Sequence, residues 1–304
     1  MRWSWLTLML LTMSCAYHQY KESGHLTYEM MVMLLAHWLY SNATVKGEHC
    51  IPCTWDMFHE NFGWMLNFWN IAGVPYLYCF QSFYIAKNYE KLERDNIKTF
   101  GIGYIPGTHS LTHSLTHSLT HSLTHSPTHS LTHAAVTVLL IVGYYIFDSA
   151  NCQKASIKIP GLKRNTFPQV PWGVLQEPIR YIHTPKGKLL VDGWYAFVRK
   201  LQYTGDIVMA ICWGLVCGSP WRVSSGSGYI PLNVLPYFYS IFFTGMITHR
   251  QLRDEVRCKE KYGEYWDMYT TEVPNVFLPG SKFFSWLLSS DKTLKPISTS
   301  TKSK

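Results

Sequence analysis

The string HRQLRDEVRCKEKYG, His249 to Gly263, follows directly on an apolar stretch. On an α-helix Arg250, Asp254, Cys258 and Tyr262 stand four apart and share one face, while Arg250, Arg253 and Arg257 form a second line. Such a strip can hold the phosphates of a dinucleotide through charge-assisted hydrogen bonds. The same strip equally suits a charged helix that anchors at lipid headgroups, and spacing alone does not separate the two.

Two other groupings have ligand-type residues at regular spacing. Cys50 and Cys53 form a C-x-x-C pair, but no second pair stands at zinc-ribbon spacing and no strand-helix-strand context surrounds it, so neither a metal nor a redox site is expected there. Residues 108–133 comprise six tetrads of the Thr-His-Ser-Leu type, the fifth ending in Pro127, and a closing Thr-His. Histidines four apart would line one face of a helix, yet Ser and Thr form helices weakly and Pro127 interrupts the run. Near-perfect tetrapeptide identity points to expansion of a short repeat, so a loop without a metal is expected.

The elements that must position these residues are apolar. Of 304 residues, 47% are apolar, 15% aromatic and only 15% charged, where soluble domains carry about 25% charged residues. Twelve Trp and twenty Tyr fit a protein with rings at a hydrocarbon–water boundary. The net charge of +8 gathers in the second half, between apolar segments, which fits an anionic cofactor or a positive membrane face and not a nucleic acid. The eight Cys are scattered, several within apolar runs, and read as free buried thiols.

Apolar runs cover Met1 to Ala16, Leu26 to Tyr40, Phe62 to Ala86, Ala134 to Phe147, Ile207 to Cys217 and Tyr229 to Ile247. The first resembles a signal peptide or a shortened membrane segment, since spanning a bilayer takes about 20 residues. Phe62 to Ala86, almost free of charge, is the strongest candidate for a transmembrane helix. Pro160 to Pro185 and Gly218 to Gly228 read as loops, and the Ser/Thr/Lys-rich end reads as a disordered tail.

Three ordered blocks carry a resemblance. HRQLRDEVRCKEKYG, with Trp266 and Tyr269 after it, is similar to the C-terminal signature of the sterol reductase family, which includes reductases of the sterol 14(15), 24(28) and 7(8) double bonds and the lamin B receptor. LLVDGWYAFVRKLQYTGDIVMAICWGLVCG, Leu189 to Gly218, resembles that family's G-W-[WY]-x-x-x-R-x-x-x-Y-x-G-D pattern, and YYIFDSANCQK, Tyr144 to Lys154, the segment before its cofactor loop. Within His25 to Cys79, KGEHCIP and FWNIAGVP resemble the 24(28) reductases in particular.

The resemblance implies an all-α fold, a multi-pass transmembrane helical bundle of the endoplasmic reticulum with a C-terminal cofactor-binding half, and no Rossmann fingerprint. It places the reductase-type membrane domain at 25–280, interrupted by the repeat at 108–133 and an insert near 218–233, with 1–24 unmatched and 281–304 as the tail. It implies NADPH contacts at Lys154, Lys158, Leu190, Tyr195, Gln202, Tyr203, Asp254, Cys258, Lys259, Glu260, Lys261, Tyr262 and Tyr269. The acid pair it implies is Tyr40 and Asp254. Lys158 and Gln202 depart from the Arg and Asn common in the carbon-14 reductases, and Lys lacks the bidentate fork of Arg.

The implied partners are a sterol and the lipid bilayer, with no nucleic acid and no metal. The implied reaction saturates the 24(28) double bond; a 14(15) reductase, or a catalytically inactive membrane protein of the same family, stands as the alternative. Relatives of this kind carry further membrane helices before the block that starts near His25, so an N-terminally truncated member is expected.

Overall fold

A computed structural model describes residues 2–47, 63–100, 127–158, 180–218, 232–278 and 280. Cys50, Cys53, most of the repeat, most of the 218–233 insert and the tail at 281–304 lie outside the described residues. The elements are mainly helices: α1 (Arg2–Ser23), α2 (Tyr28–Lys46), α3 (Trp64–Phe68), α4 (Phe80–Phe100), α5 (Pro127–Lys158), α6 (Leu201–Val216), α7 (Phe238–Tyr262) and α8 (Glu264–Glu272). An antiparallel hairpin, β1 (Tyr181–Thr184) with β2 (Gly187–Leu190), stands between α5 and α6 in the chain. Contacts divide the chain into two compact units, residues 1–144 with 207–245 and residues 145–206 with 246–304.

In the first unit Thr27 starts α2: its hydroxyl accepts from the Met30 N–H, and Glu29 follows in the first, partially positive turn. Gly47 closes the helix by donating to the Ala43 carbonyl. Leu8, Met30, Met33, Ile85 and Leu140 are buried together, and each such side chain contributes about 1.5–3 kcal/mol on leaving water. Several polar side chains in this core make local hydrogen bonds. Thr12 Oγ1 lies 2.6 Å from His37 Nδ1, Gln81 Nε2 donates to the Pro236 carbonyl at 2.9 Å, and Ser240 Oγ donates to the Ala210 carbonyl at 2.5 Å. A side chain at Gly214 would come within 2.7 Å of the Tyr237 ring, so a residue without Cβ lets α6 approach that ring.

The second unit is built around the hairpin. Pro185 and Lys186 make the two-residue turn, Gly187 takes φ +137°, and the register pairs Tyr181 with Leu190 and Thr184 with Gly187. Leu189 and Val191 bury against Trp266, Tyr269 and Val273, and Arg180 pairs with Glu272 at 3.8 Å.

Three expectations change. Phe62 to Ala86 does not form one α-helix: among its described residues α3 widens into a π-helix at Trp69–Leu77, a turn follows, and α4 begins at Phe80. Pro75 lies inside the widened stretch, and proline, which has no N–H, breaks the regular ladder. The fold is mainly helical, as the all-α expectation has it, and part of the stretch read as the Pro160 to Pro185 loop is strand β1. The end of the repeat is helical, with Pro127 at the first position of α5, where a missing N–H costs nothing. Among the described residues one helix, His133–Ala155 within α5, is long and apolar enough to cross a membrane; α6 is apolar but shorter.

Candidate functional site

Asp192, Gly193 and Trp194 lock the exit of the hairpin in the second unit. Asp192 Oδ1 accepts from the Gly193 N–H at 2.8 Å and Oδ2 from the Arg180 N–H at 3.2 Å, holding both ends of the hairpin on one carboxylate. Gly193 has φ +56°, and a Cβ there would stand 2.2 Å from Gln153 Nε2. The close approach lets Gln153 Oε1 accept the Trp194 N–H at 3.1 Å, while Trp194 Nε1 donates to Ser149 Oγ at 2.8 Å. α5 is thereby fixed to the turn that carries Tyr195.

From this turn the chain enters α6 through Arg199 and Lys200. Their backbone N–H groups donate to the Asn275 and Val276 carbonyls at 2.9 and 3.0 Å. Their side chains meet two consecutive acids on α7. Arg199 Nη1 lies 3.3 Å from Glu255 Oε1, and Lys200 Nζ donates to Asp254 Oδ2. Glu255 also accepts from Trp266 Nε1 at 3.2 Å and Gln251 Nε2 at 3.1 Å. Cys258, one turn after Asp254, places its thiol 3.8 Å from Asp254 Oδ1, which agrees with the shared face expected from spacing.

Burial pushes the Asp254 carboxyl upward, but the charge and hydrogen bond of Lys200, with smaller help from Lys154 and Cys258, outweigh it and hold the group below the usual carboxylate range. Burial pulls the Lys200 ammonium down, and the Asp254 charge, with Tyr203 and Cys258, more than reverses this and raises it. Both groups are therefore ionised at neutral pH. Burial also pushes the Cys258 thiol up to about 11 and the Tyr269 hydroxyl up to about 12, so both are neutral.

The residues singled out from the sequence fall into three groups within this unit. Tyr195 and Leu190 are buried together with Ala150, and the Tyr195 hydroxyl stands 3.0 Å from Gln202 Oε1 and 3.3 Å from the Ala150 carbonyl. Asp254, Cys258 and Tyr203 gather within electrostatic reach of Lys200, and Lys154 within reach of Asp254 and Cys258. Tyr262 stacks on Trp266 with centroids 6.4 Å apart, and Tyr269 lies against the same indole at 5.1 Å. Tyr203 and Tyr269 both lie within electrostatic reach of Tyr195, which links the groups.

Three residues stand apart at the exposed end of α7. Lys259 pairs with Asp267, Glu260 faces out, and Lys261 lies 4.9 Å over the Tyr262 ring. Lys158 is the last residue of α5, and its side chain lies outside the described atoms. Tyr40 belongs to the first unit, in an aromatic cluster with Tyr78 at 5.4 Å and Trp213 at 6.3 Å, near His37, which meets the edge of Trp213. Lys200, Arg199, Asp192 and Gly193 had no place in the expected site. Gly193 and Arg199 stand at fixed positions of the G-W-[WY]-x-x-x-R pattern, and Lys200 shows in the sequence as the second member of an Arg-Lys pair ahead of an apolar helix.

The arrangement gathers a buried ion pair, several tyrosine hydroxyls and nearby cations on a scaffold fixed by backbone hydrogen bonds. Chemically it can bind a polar, anionic, ring-bearing ligand. Residues 1–109 and 103–281 match the profile of the ergosterol biosynthesis ERG4/ERG24 family, a match that takes in residues 1–24 as well as the motifs. A Delta(24(24(1)))-sterol reductase of Gibberella zeae is 36% identical over 284 residues, covering 91% of this chain and 40% of the relative. Delta(24(24(1)))-sterol reductase erg4A of Aspergillus fumigatus is also 36% identical over 284 residues, covering 91% and 50%. The Delta(14)-sterol reductase LBR of Gallus gallus is 33% identical over 237 residues, covering 78% and 28%. The chain thus spans half or less of the length of these relatives. Because the matched stretches run through both compact units and through every residue of the Asp254 cluster, the chain belongs to the ergosterol biosynthesis ERG4/ERG24 family.

Proposed function

We propose that this chain acts in the NADPH-dependent reduction of the sterol side-chain 24(28) double bond, at a multi-pass site in the endoplasmic reticulum membrane. The observation that carries the reading is the 36% identity to two Delta(24(24(1)))-sterol reductases across nine-tenths of the chain; carbon 24(1) and carbon 28 are two numbers for one atom. The donor set fits the cofactor: Lys154 and Arg250 supply positive charge for phosphates, while Tyr195, Gln202 and Tyr203 supply hydroxyl and amide groups for its sugars and bases. When bound, NADPH supplies the hydride.

An electron-rich alkene takes hydride poorly until it is protonated. A proton added at carbon 28 leaves positive charge on tertiary carbon 24, which the hydride then neutralises. In this reading Tyr40 gives the proton, because Asp254, held ionised beside Lys200, has none to give at neutral pH. Asp254 instead orients a polar group and balances the charge that develops.

Reduction at the ring 14(15) bond is the second reading, favoured by the 33% identity to the avian Delta(14) relative. Membranes carrying the full chain, given NADPH and either a 24(28)-unsaturated or a 14(15)-unsaturated sterol, separate the two by mass spectrometry. A gain of two mass units in the first sterol alone is expected. Turnover of the second alone replaces the leading reading with the alternative.

A further inference from the structure

The two adjacent ion pairs on α7 differ in a way that separates a structural joint from a site. Glu255 is saturated: Oε1 takes Arg199 and Trp266, and Oε2 takes Gln251. Asp254 is not. Lys200 occupies Oδ2, and among the described residues Oδ1 has only the Cys258 thiol, a weak donor at 3.8 Å. The Lys200 side chain is only 9% exposed and that of Asp254 21%. A lysine ammonium has three N–H donors, and Asp254 is the one acceptor found for them among the described residues. Buried donors without acceptors are costly, and here they lie beside a carboxylate oxygen that still has capacity.

We propose that Lys200 is a cofactor-contacting and positioning residue of this site: it fixes Asp254 in place as an anion and, with Asp254 Oδ1, presents a donor and an acceptor side by side to a neutral polar group of the bound nucleotide. This rests on the reductase reading above. Hydroxyls and carboxamides, both present in a reduced nicotinamide dinucleotide, carry the donor and acceptor that such a pair complements. Arg199 and Glu255 form the joint that holds the pair in register. The backbone bonds from Arg199 and Lys200 to Asn275 and Val276 keep the lysine stem from following its own charge. The titratable or charged groups facing Asp254 are Lys200 just ahead of α6, Tyr203 in its first turn, Lys154 from α5 and Cys258 from α7.

The test uses the full chain in nanodiscs, with NADPH fluorescence for binding and infrared difference spectra over pH 4 to 8 for the Asp254 carboxyl band, assigned with Asp254→Asn. Wild type should bind NADPH and show no protonated Asp254 band near neutral pH. Lys200→Met should weaken NADPH binding at least about tenfold, the size of a lost charge-assisted hydrogen bond, and bring the protonated band to a higher pH. Lys200→Arg should keep the carboxylate and recover most of the affinity. Lys200→Met binding as tightly as wild type overturns the proposal. So does a protonated Asp254 band in wild type at neutral pH, which needs no variant to fold. Wild type that binds no NADPH, with Asp254 ionised, overturns the reductase reading and the cofactor contact together, and leaves Lys200 only its hold on the carboxylate.

Discussion

The charge on Asp254 rests on a balance that one substitution can tip, and its direction fixes a pH window. A carboxyl held below its unfolded value stabilises the fold above about pH 4, and that contribution is lost as pH falls through the folded value. An ammonium raised above its unfolded value stabilises the fold below about pH 10, and that contribution is lost as pH rises through the folded value. The difference in melting temperature between wild type and Lys200→Met should therefore be widest between about pH 4 and pH 10 and shrink on both sides. A gap that keeps its full width well below pH 4 and well above pH 10 would show that the pair adds nothing electrostatic. Helical spacing made the shared face of Arg250, Asp254 and Cys258 legible in the sequence. It could not show what faces Asp254, because Lys200 lies 54 positions away and arrives through backbone bonds to Asn275 and Val276.

Among the elements, the hairpin and its exit turn have the least slack. Gly193→Ala adds a Cβ both to a left-handed backbone position and to space filled by Gln153, so a loss of about 1–3 kcal/mol is expected. Asp192→Ala removes the acceptor of two backbone N–H groups and should cost about 1 kcal/mol, as loss of a capping side chain does. Chemical denaturation of each variant gives both values; a Gly193→Ala protein as stable as wild type would mean the turn can open without harm. The hairpin escaped sequence reading because YIHT and GKLL show no sustained apolar–polar alternation, and Pro185-Lys186 reads as a generic loop. The π-helix escaped for a related reason: apolar content continues unbroken through Trp69–Leu77, while Pro75 changes only the backbone ladder. Long charged helices fared better: the string from His249, read at helical spacing, lies in α7, which runs to Tyr262.

Across the chain, the residues proposed for the chemistry fall in different compact units: the Asp254–Lys200 pair in residues 145–206 with 246–304, and Tyr40 in residues 1–144 with 207–245. Large apolar side chains such as Trp3, Leu10, Val138, Val142, Phe238 and Ile241 are exposed on the first unit, as a chain that meets hydrocarbon would leave them. Composition made this legible early, since few charges and many Trp and Tyr point to a bilayer, whereas the number of crossings depends on where backbone breaks fall. The central claim, that this polypeptide supports reduction of the 24(28) double bond through the site around Asp254, is tested most directly in cells that lack that reductase. Sterols would be read by mass spectrometry after expressing the chain or its Asp254→Asn variant. The account predicts that saturated side chains return with the wild type and fall at least about 100-fold with the variant. Saturation that persists undiminished in Asp254→Asn, or no saturation from wild-type chain verified in the membrane, would contradict it.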